Sequence, residues 1–149
     1  MQDTLFNLIQ KGKYSISIYT EEIFERRCQE EIIRSDEDNS SFVYIELDFE
    51  HVKKCVDGEE NALKFWSIFL ASLNKSNRGS DIIGFLENQA GIGMLLLDSK
   101  IEGWERVKGR ILQMAETQGY EKAGDLLNDS IRPIIYPACI RPEPQNAQG

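Results

Sequence analysis

The feature that most constrains the fold is a strict alternation of side chains between residues 43 and 50. Apolar and polar residues follow one another in the order Val43, Tyr44, Ile45, Glu46, Leu47, Asp48, Phe49 and Glu50. Since successive side chains of a strand point to opposite faces, the stretch SFVYIELDFEH predicts a β-strand with one face in a core. We interpret its acidic face as solvated or partner-facing, because a metal site needs carboxylates that converge from more than one element.

A β-hairpin is predicted over residues 80–99, SDIIGFLENQAGIGMLLLDS. The runs DIIGFL and GIGMLLLD have the length and composition of strands, and the polar stretch between them has the composition of a turn. The tip of this hairpin consists of Glu87, Asn88, Gln89, Ala90 and Gly91.

Three segments predict amphipathic helices. The first begins after Thr20 and carries Phe24, Cys28 and Ile32 on one face. The second, ALKFWSIFLASLNK, is apolar enough to be largely buried and places Trp66 in the core. The third begins with Ser99 and Glu102 in capping-box spacing and ends near Gly119. Its buried apolar face consists of Trp104, Val107, Ile111 and Met114.

The predicted order is a helix followed by β-α-β-β-α-β. The last strand, IRPIIYPACI, is expected at an edge because Pro133 and Pro137 lack backbone donors. An antiparallel sheet with two helices on one face satisfies this order, so we predict an α+β, ferredoxin-like palm with an extra N-terminal helix. The expected division is an N-terminal segment at 1–19, one palm domain at 20–140 and a disordered tail at 141–149.

The amino-acid composition limits the kinds of molecule that this protein is expected to bind. The formal net charge of −8 argues against binding to nucleic acid, whose affinity comes mainly from Lys and Arg. No signal peptide or membrane-spanning run is evident, so we expect a cytoplasmic protein without membrane insertion.

The thiols Cys28, Cys55 and Cys139 are expected to be reduced. The one histidine, His51, is expected at the surface without a Ser or Cys nucleophile partner, and no cofactor is predicted.

From about residue 20 to residue 140 the sequence resembles a GGDEF domain. The resemblance rests on the leading helix EEIFERRCQEEI, the strand FVYIELDFEHVKK, the long helix ALKFWSIFLASL and the hairpin within RGSDIIGFLENQAGIGMLLLDS. Active members of this family join two GTP molecules into cyclic di-GMP, using metal ions held by the first strand and the hairpin tip.

The resemblance implies that this activity is absent here. Glu46 stands where the family's first-strand acid would be, which makes it the only weak candidate for a metal ligand. The signature hairpin is replaced by ENQAG or, shifted by one residue, by NQAGI, and in the first alignment Ala90 replaces the catalytic acid. The guanine-reading residues have no counterpart in KKCVDGEEN, and the family's last helix is expected to be missing.

One family motif is present. The stretch RGSD places Arg78 and Asp81 where many GGDEF domains carry an RxxD site that binds cyclic di-GMP, and Arg106 or Arg110 would complete it. A guanidinium suits phosphate and a carboxylate suits the guanine N–H pair. Cyclic di-GMP at such sites often bridges two domains, so a homodimer is one expectation.

Three functions stay open at this stage. The chain could be an inactive regulatory protein that binds cyclic di-GMP and contacts an unidentified protein partner. It could instead be a scaffold or assembly module without nucleotide binding. A remote alternative is a nucleotidyl transferase that uses Glu46, Asp48 and Glu87. The apolar residues Leu5, Phe6, Leu8 and Ile9 are expected to dock on the domain's own surface or on a partner, or else to form a short helix on the sheet's open face.

Overall fold

A computed structural model describes residues 2–12, 16–76, 81–129, 131 and 133–136. Two helices precede the first strand, and two further helices separate it from the hairpin. The elements in chain order are α1 (Gln2–Gly12), α2 (Glu21–Asp38), β1 (Phe42–Asp48), α3 (Phe49–Cys55), α4 (Glu59–Ser76), β2 (Ile82–Phe85), a 3₁₀ turn (Glu87–Gln89), β3 (Gly91–Leu97), α5 (Ile101–Thr117), α6 (Lys122–Asp129) and β4 (Ile134–Tyr136).

The four strands form one antiparallel sheet in the order β2-β3-β1-β4. Strands β1 and β3 pair along their full length, from Phe42 opposite Leu97 to Asp48 opposite Gly91. β4 pairs only with β1 and lies at the sheet edge, as the prolines predicted. The predicted α+β palm and the hairpin are therefore confirmed.

The larger core lies on one face of the sheet, under α4 and α5. The predicted inward residues of β1, Val43, Ile45 and Leu47, are buried there, and Trp66 and Trp104 join them. Both tryptophans are core residues, as the sequence predicted. Burying a large apolar side chain stabilises the fold by about 1.5–3 kcal/mol. Because the larger cluster of buried residues lies on this face, it contributes most of the hydrophobic stabilisation.

Helix α2 covers the opposite face of the sheet. Phe24 is buried there against residues of all three longer strands, and Cys28 and Ile32 pack at its margin, as their spacing predicted. The hydroxyl of Thr20 accepts a hydrogen bond from Ile23 N at 3.5 Å, which confirms Thr20 as the N-cap. The sheet thus has helices on both faces, with the predicted pair, α4 and α5, on one face and the leading helix on the other.

The first strand ends earlier than its alternation predicts. Asp48 accepts a hydrogen bond from His51 N at 2.8 Å and caps α3, so Phe49 and Glu50 are helical. Phe49 is nevertheless buried and packs edge-on against Trp66, at 5.3 Å between ring centroids. The burial pattern continues across the change from strand to helix, which is why periodicity alone places the boundary wrongly.

The predicted capping box at the start of α5 is also wrong. The helix begins at Ile101, and its N-cap is Lys100, which makes no side-chain capping hydrogen bond. The Ser99 hydroxyl instead donates to Leu97 O at 3.1 Å. Ser99 therefore stabilises the exit from β3. The end of α5 agrees better, since Gly119 follows it with a φ of 70°.

The N-terminal helix belongs to the larger core. Leu5 is fully buried beside α4, and Phe6 packs edge-on against Phe85 at 5.9 Å. The helix thus packs against its own domain, as one expectation had it, and the expectation of a helix on the open face of the sheet is wrong because α2 covers that face. Downstream, Tyr19 forms a parallel bridge with Gly84 and covers the free edge of β2.

Some predictions fall on residues outside those described: Arg78, Cys139 and the tail at 141–149. The domain boundaries stay predictions for the same reason. Within the described residues Cys28 and Cys55 are free thiols, and none of the helices there combines the length and apolar character that crossing a membrane requires.

Candidate functional site

A groove of about 900 Å³ lies on the α2 side of the sheet. Its walls are the first turns of α2, the outward face of β1, the edge strand β4 and the hairpin tip. The lining residues are mostly acidic or aromatic: Glu21, Glu22, Phe24, Glu25, Cys28, Ile32, Phe42, Tyr44, Glu46, Asp48, Phe85, Leu86, Glu87, Ala90, Leu95, Ile134 and Tyr136.

The hairpin tip is fixed against both neighbouring elements. Asn88 N donates to the carboxylate of Glu21 at 2.7 Å, and Phe49 N donates to Ala90 O at 2.9 Å. At Gly91 a Cβ atom would lie 2.2 Å from Leu47 O, so only glycine permits this approach of the two strands. The tip therefore closes one end of the groove.

The predicted tip residues Glu87, Asn88, Gln89 and Ala90 are all exposed. Asn88 and Gln89 have φ angles of 58° and 53°, in the left-handed region that glycine occupies most easily. The turn is thus formed by residues with exposed side chains at backbone angles that glycine adopts most easily.

Phe24 occupies the sheet face next to the tip. A Cβ added at Gly84 would lie 2.4 Å from Phe24 Cβ, and one added at Gly93 would lie 2.5 Å from Phe24 Cε2. The ring also stacks on Tyr44, at 6.4 Å between centroids. The two glycines thus provide the space that the Phe24 ring fills.

The groove carries an uncompensated negative charge. Six carboxylates line it, and no Lys or Arg is among the described lining residues. Every ion pair in the described part of the chain uses a carboxylate that lies elsewhere: Glu30, Glu31, Asp38, Asp57, Asp98 and Glu105. Like charges gathered without counter-charges create a negative potential that a concave surface concentrates.

Two titratable groups on the groove floor are held in their neutral forms. Burial raises the pKa of the Cys28 thiol to about 11, and the charges of Glu25 and Glu46 add to this effect. Burial also raises the pKa of Tyr44, whose hydroxyl donates to Glu46 at 2.6 Å. Cys28 is therefore a protonated thiol at neutral pH and a weak nucleophile.

The structure places Glu46, Asp48 and Glu87 along the same groove but does not gather them into a metal cluster. In the described residues, no three His, Cys, Asp or Glu side chains are arranged to hold a metal ion. Asp48 already caps α3 through its carboxylate. The donor set along β1 and the tip does not fit a two-metal centre.

Two of the residues predicted to bind cyclic di-GMP, Arg106 and Arg110, do not line the groove. Arg106 and Arg110 are exposed on α5, which packs on the opposite face of the sheet. Arg110 borders a hollow of about 280 Å³ beside Ser72 and Met114. Asp81 is half-buried directly before β2, and Arg78 lies outside the described residues, so their convergence stays a prediction.

His51 is exposed on α3, as predicted, but it does have a cysteine neighbour. Its Nε2 atom lies 3.5 Å from Sγ of Cys55, one helical turn further along. The sequence contained this spacing of four residues, which brings two side chains together on a helix. Both side chains are exposed, and the pair does not face the groove residues.

Sequence reasoning missed most of the groove. The sequence places Glu21, Glu22 and Glu25 in the leading helix EEIFERRCQEEI and Tyr136 in the edge strand IRPIIYPACI, and it gives none of them a role in a site. The spacing of the glutamates was a signal that could have indicated the groove. Glu21 and Glu25 lie one helical turn apart and flank Phe24, which the sequence places on a packing face. Nothing local indicated that Tyr136 would line the same groove.

Comparisons with known proteins concern the fold. No protein-family model and no curated protein matches the sequence. A DGC protein from Thermotoga maritima is similar in structure with a TM-score of 0.50 and 15% identity, over 81% of this chain and 83% of that chain. The GGDEF domain of YfiN (TpbB) from Pseudomonas aeruginosa gives a TM-score of 0.53 and 16% identity, over 81% and 73% of the two chains. A second structure of that domain gives 0.52 and 16%, over 81% and 78%.

Proposed function

We propose that this chain, whose fold is that of a GGDEF domain, is a catalytically inactive regulatory protein that acts through contact with another protein. The observation that carries this proposal is the charge of the groove beside the hairpin tip. Six carboxylates line it without a cation among the described lining residues. A nucleoside triphosphate brings several negative charges, so binding there is opposed by Coulomb repulsion.

Two further features support the loss of cyclase activity. The donor set does not fit the pair of metal ions that would offset the triphosphate charge and activate a hydroxyl. In addition, Phe24 fills the space above Gly84 and Gly93 next to the tip. A nucleotide would have to displace a buried aromatic ring before it reached the sheet.

The test is incubation of the purified protein with GTP and Mg²⁺, beside an active diguanylate cyclase in the same buffer. We expect no cyclic di-GMP, no pyrophosphate release and no heat of GTP binding. The same assay with ATP addresses the nucleotidyl transferase alternative that uses Glu46, Asp48 and Glu87. Metal-dependent turnover of either nucleotide would overturn the proposed function.

A receptor for cyclic di-GMP is the second candidate function. It is favoured by Asp81 directly before β2 and by Arg110, which is exposed beside a hollow between α4 and α5. Calorimetric titration with cyclic di-GMP tests it, with Arg78→Ala and Asp81→Asn as site variants and Arg26→Ala as a control on an exposed α2 position. Binding that all three variants retain would remove this candidate, and sizing with ligand would report a bridged homodimer.

A further inference from the structure

The floor of the acidic groove is aromatic. Phe42 and Tyr136 stack at 5.2 Å between centroids with an interplanar angle of 22°, and Tyr44 stacks on Phe24 beside them. Tyr44 and Tyr136 are both half-buried and line the groove, and each has a phenylalanine on one face of its ring. Aromatic faces carry partial negative charge and attract cations within about 6 Å of the ring centroid.

The rim supplies formal negative charge to the same space. Glu22, Glu25 and Glu87 are exposed and have no cation within ion-pair distance among the described residues. Glu46 accepts one hydrogen bond, from the neutral Tyr44 hydroxyl, which leaves its charge uncompensated. A cation would therefore meet carboxylates above and ring faces below.

The size of the groove suits a segment of chain. Its volume of about 900 Å³ lies within the range of about 300–1,000 Å³ typical of ligand sites. A bare metal ion would leave most of this space empty and would find no converging donors in the described residues. An arginine side chain fits better, because its planar guanidinium stacks on aromatic rings and also forms paired hydrogen bonds with carboxylates.

Resting on the proposed function, we propose that this groove is the contact surface for the protein partner and that it binds an arginine-bearing segment of that partner. The arginine stacks on the ring faces of Tyr44 and Tyr136 and pairs with Glu25 and Glu46. The contact supplies the counter-charge that the described lining residues lack.

The test uses a blocked peptide of alternating glycine and arginine, titrated into the full chain at low ionic strength. The variant Glu25→Gln/Glu46→Gln removes two rim charges and keeps an oxygen acceptor for Tyr44. We expect it to weaken binding by at least about tenfold, as loss of complementary charge pairs does at interfaces. The same peptide with lysine in place of arginine is expected to bind several-fold more weakly, because an ammonium group stacks less well on rings.

The matched control is Glu116→Gln/Glu121→Gln, which changes the net charge equally at exposed positions outside the groove. We expect less than about a twofold effect, since isolated surface charges contribute little. Equal weakening in both double variants, or equal affinity for the lysine peptide, would mean diffuse attraction to an acidic protein and would overturn this inference. That result is distinguishable from a failure of the proposed function, which turnover of GTP or ATP would overturn.

Discussion

Gly84 and Gly93 face each other across β2 and β3, and the side chain of Phe24 lies over both. A glycine pair inside two paired strands weakens them, because glycine has no side chain to pack and loses more backbone freedom on folding. Here the missing Cβ atoms create a recess, and an aromatic ring from the opposite layer fills it. The pair thus determines how closely α2 approaches the sheet and, through it, the shape of the groove.

Alanine at Gly84 is expected to destabilise the protein. The new Cβ would lie 2.4 Å from Phe24 Cβ, an atom attached directly to the α2 backbone, so the clash requires the helix to move. Overpacking of this kind costs about 1–3 kcal/mol, and we expect the upper end. Gly93→Ala should cost less, because it meets the outer atoms of the ring. Urea denaturation measures both, with Gly109→Ala as the control because a Cβ there has nothing within 4 Å. Equal stability of the Gly84 and Gly109 variants would contradict the packing.

Removal of the Asp48 side chain should loosen the start of α3. Its carboxylate accepts from His51 N at 2.8 Å, and loss of such a cap costs about 0.5–2 kcal/mol. We expect this loss for Asp48→Ala and little change for Asp48→Asn, which keeps a capping oxygen. Thermal unfolding distinguishes the two variants. If Asp48→Asn were as unstable as Asp48→Ala, the negative charge would matter more than the cap.

The stability of the protein should decline at alkaline pH through Cys28. Burial raises the pKa of this thiol from its ordinary value of 9.0 to about 11, so between these values only the unfolded chain releases the proton. The thiol's contribution is therefore complete below pH 9 and is lost as the pH rises through about 11. Denaturation series across this range, for the natural sequence and Cys28→Ala, isolate the effect as a difference in slope. Parallel curves would show that the thiol ionises equally in both states.

The N-terminal helix should be needed for full stability. Leu5 is fully buried in the larger core beside α4, and Leu→Ala in a core costs about 2–5 kcal/mol. Leu5→Ala is expected within that range, whereas Ile33→Ala, at a position 56% exposed, should stay within about 0.5 kcal/mol. Chemical denaturation measures both. A neutral Leu5→Ala would mean that α1 does not contribute to the fold.

Local patterns predicted the elements that depend on near neighbours. The alternation around Ile45 identified β1, the polar tip between two apolar runs identified the hairpin, and the spacing of Phe24, Cys28 and Ile32 identified the packed face of α2. The errors lie where a side chain ends one element and begins another, as Asp48 does. Helix α6 was not predicted at all, because its eight residues are short for a periodic signal.

By itself, the sequence determined the palm: periodicity and turn chemistry act between residues a few positions apart, so they can be read along the chain. Only the tertiary structure decided the groove. Glu21 meets Asn88 across 67 positions, and Tyr136 comes beside Phe42 through the pairing of β4 with β1. Such contacts are set by how the layers pack. The groove is negatively charged because acids from distant elements line it and no described Lys or Arg does.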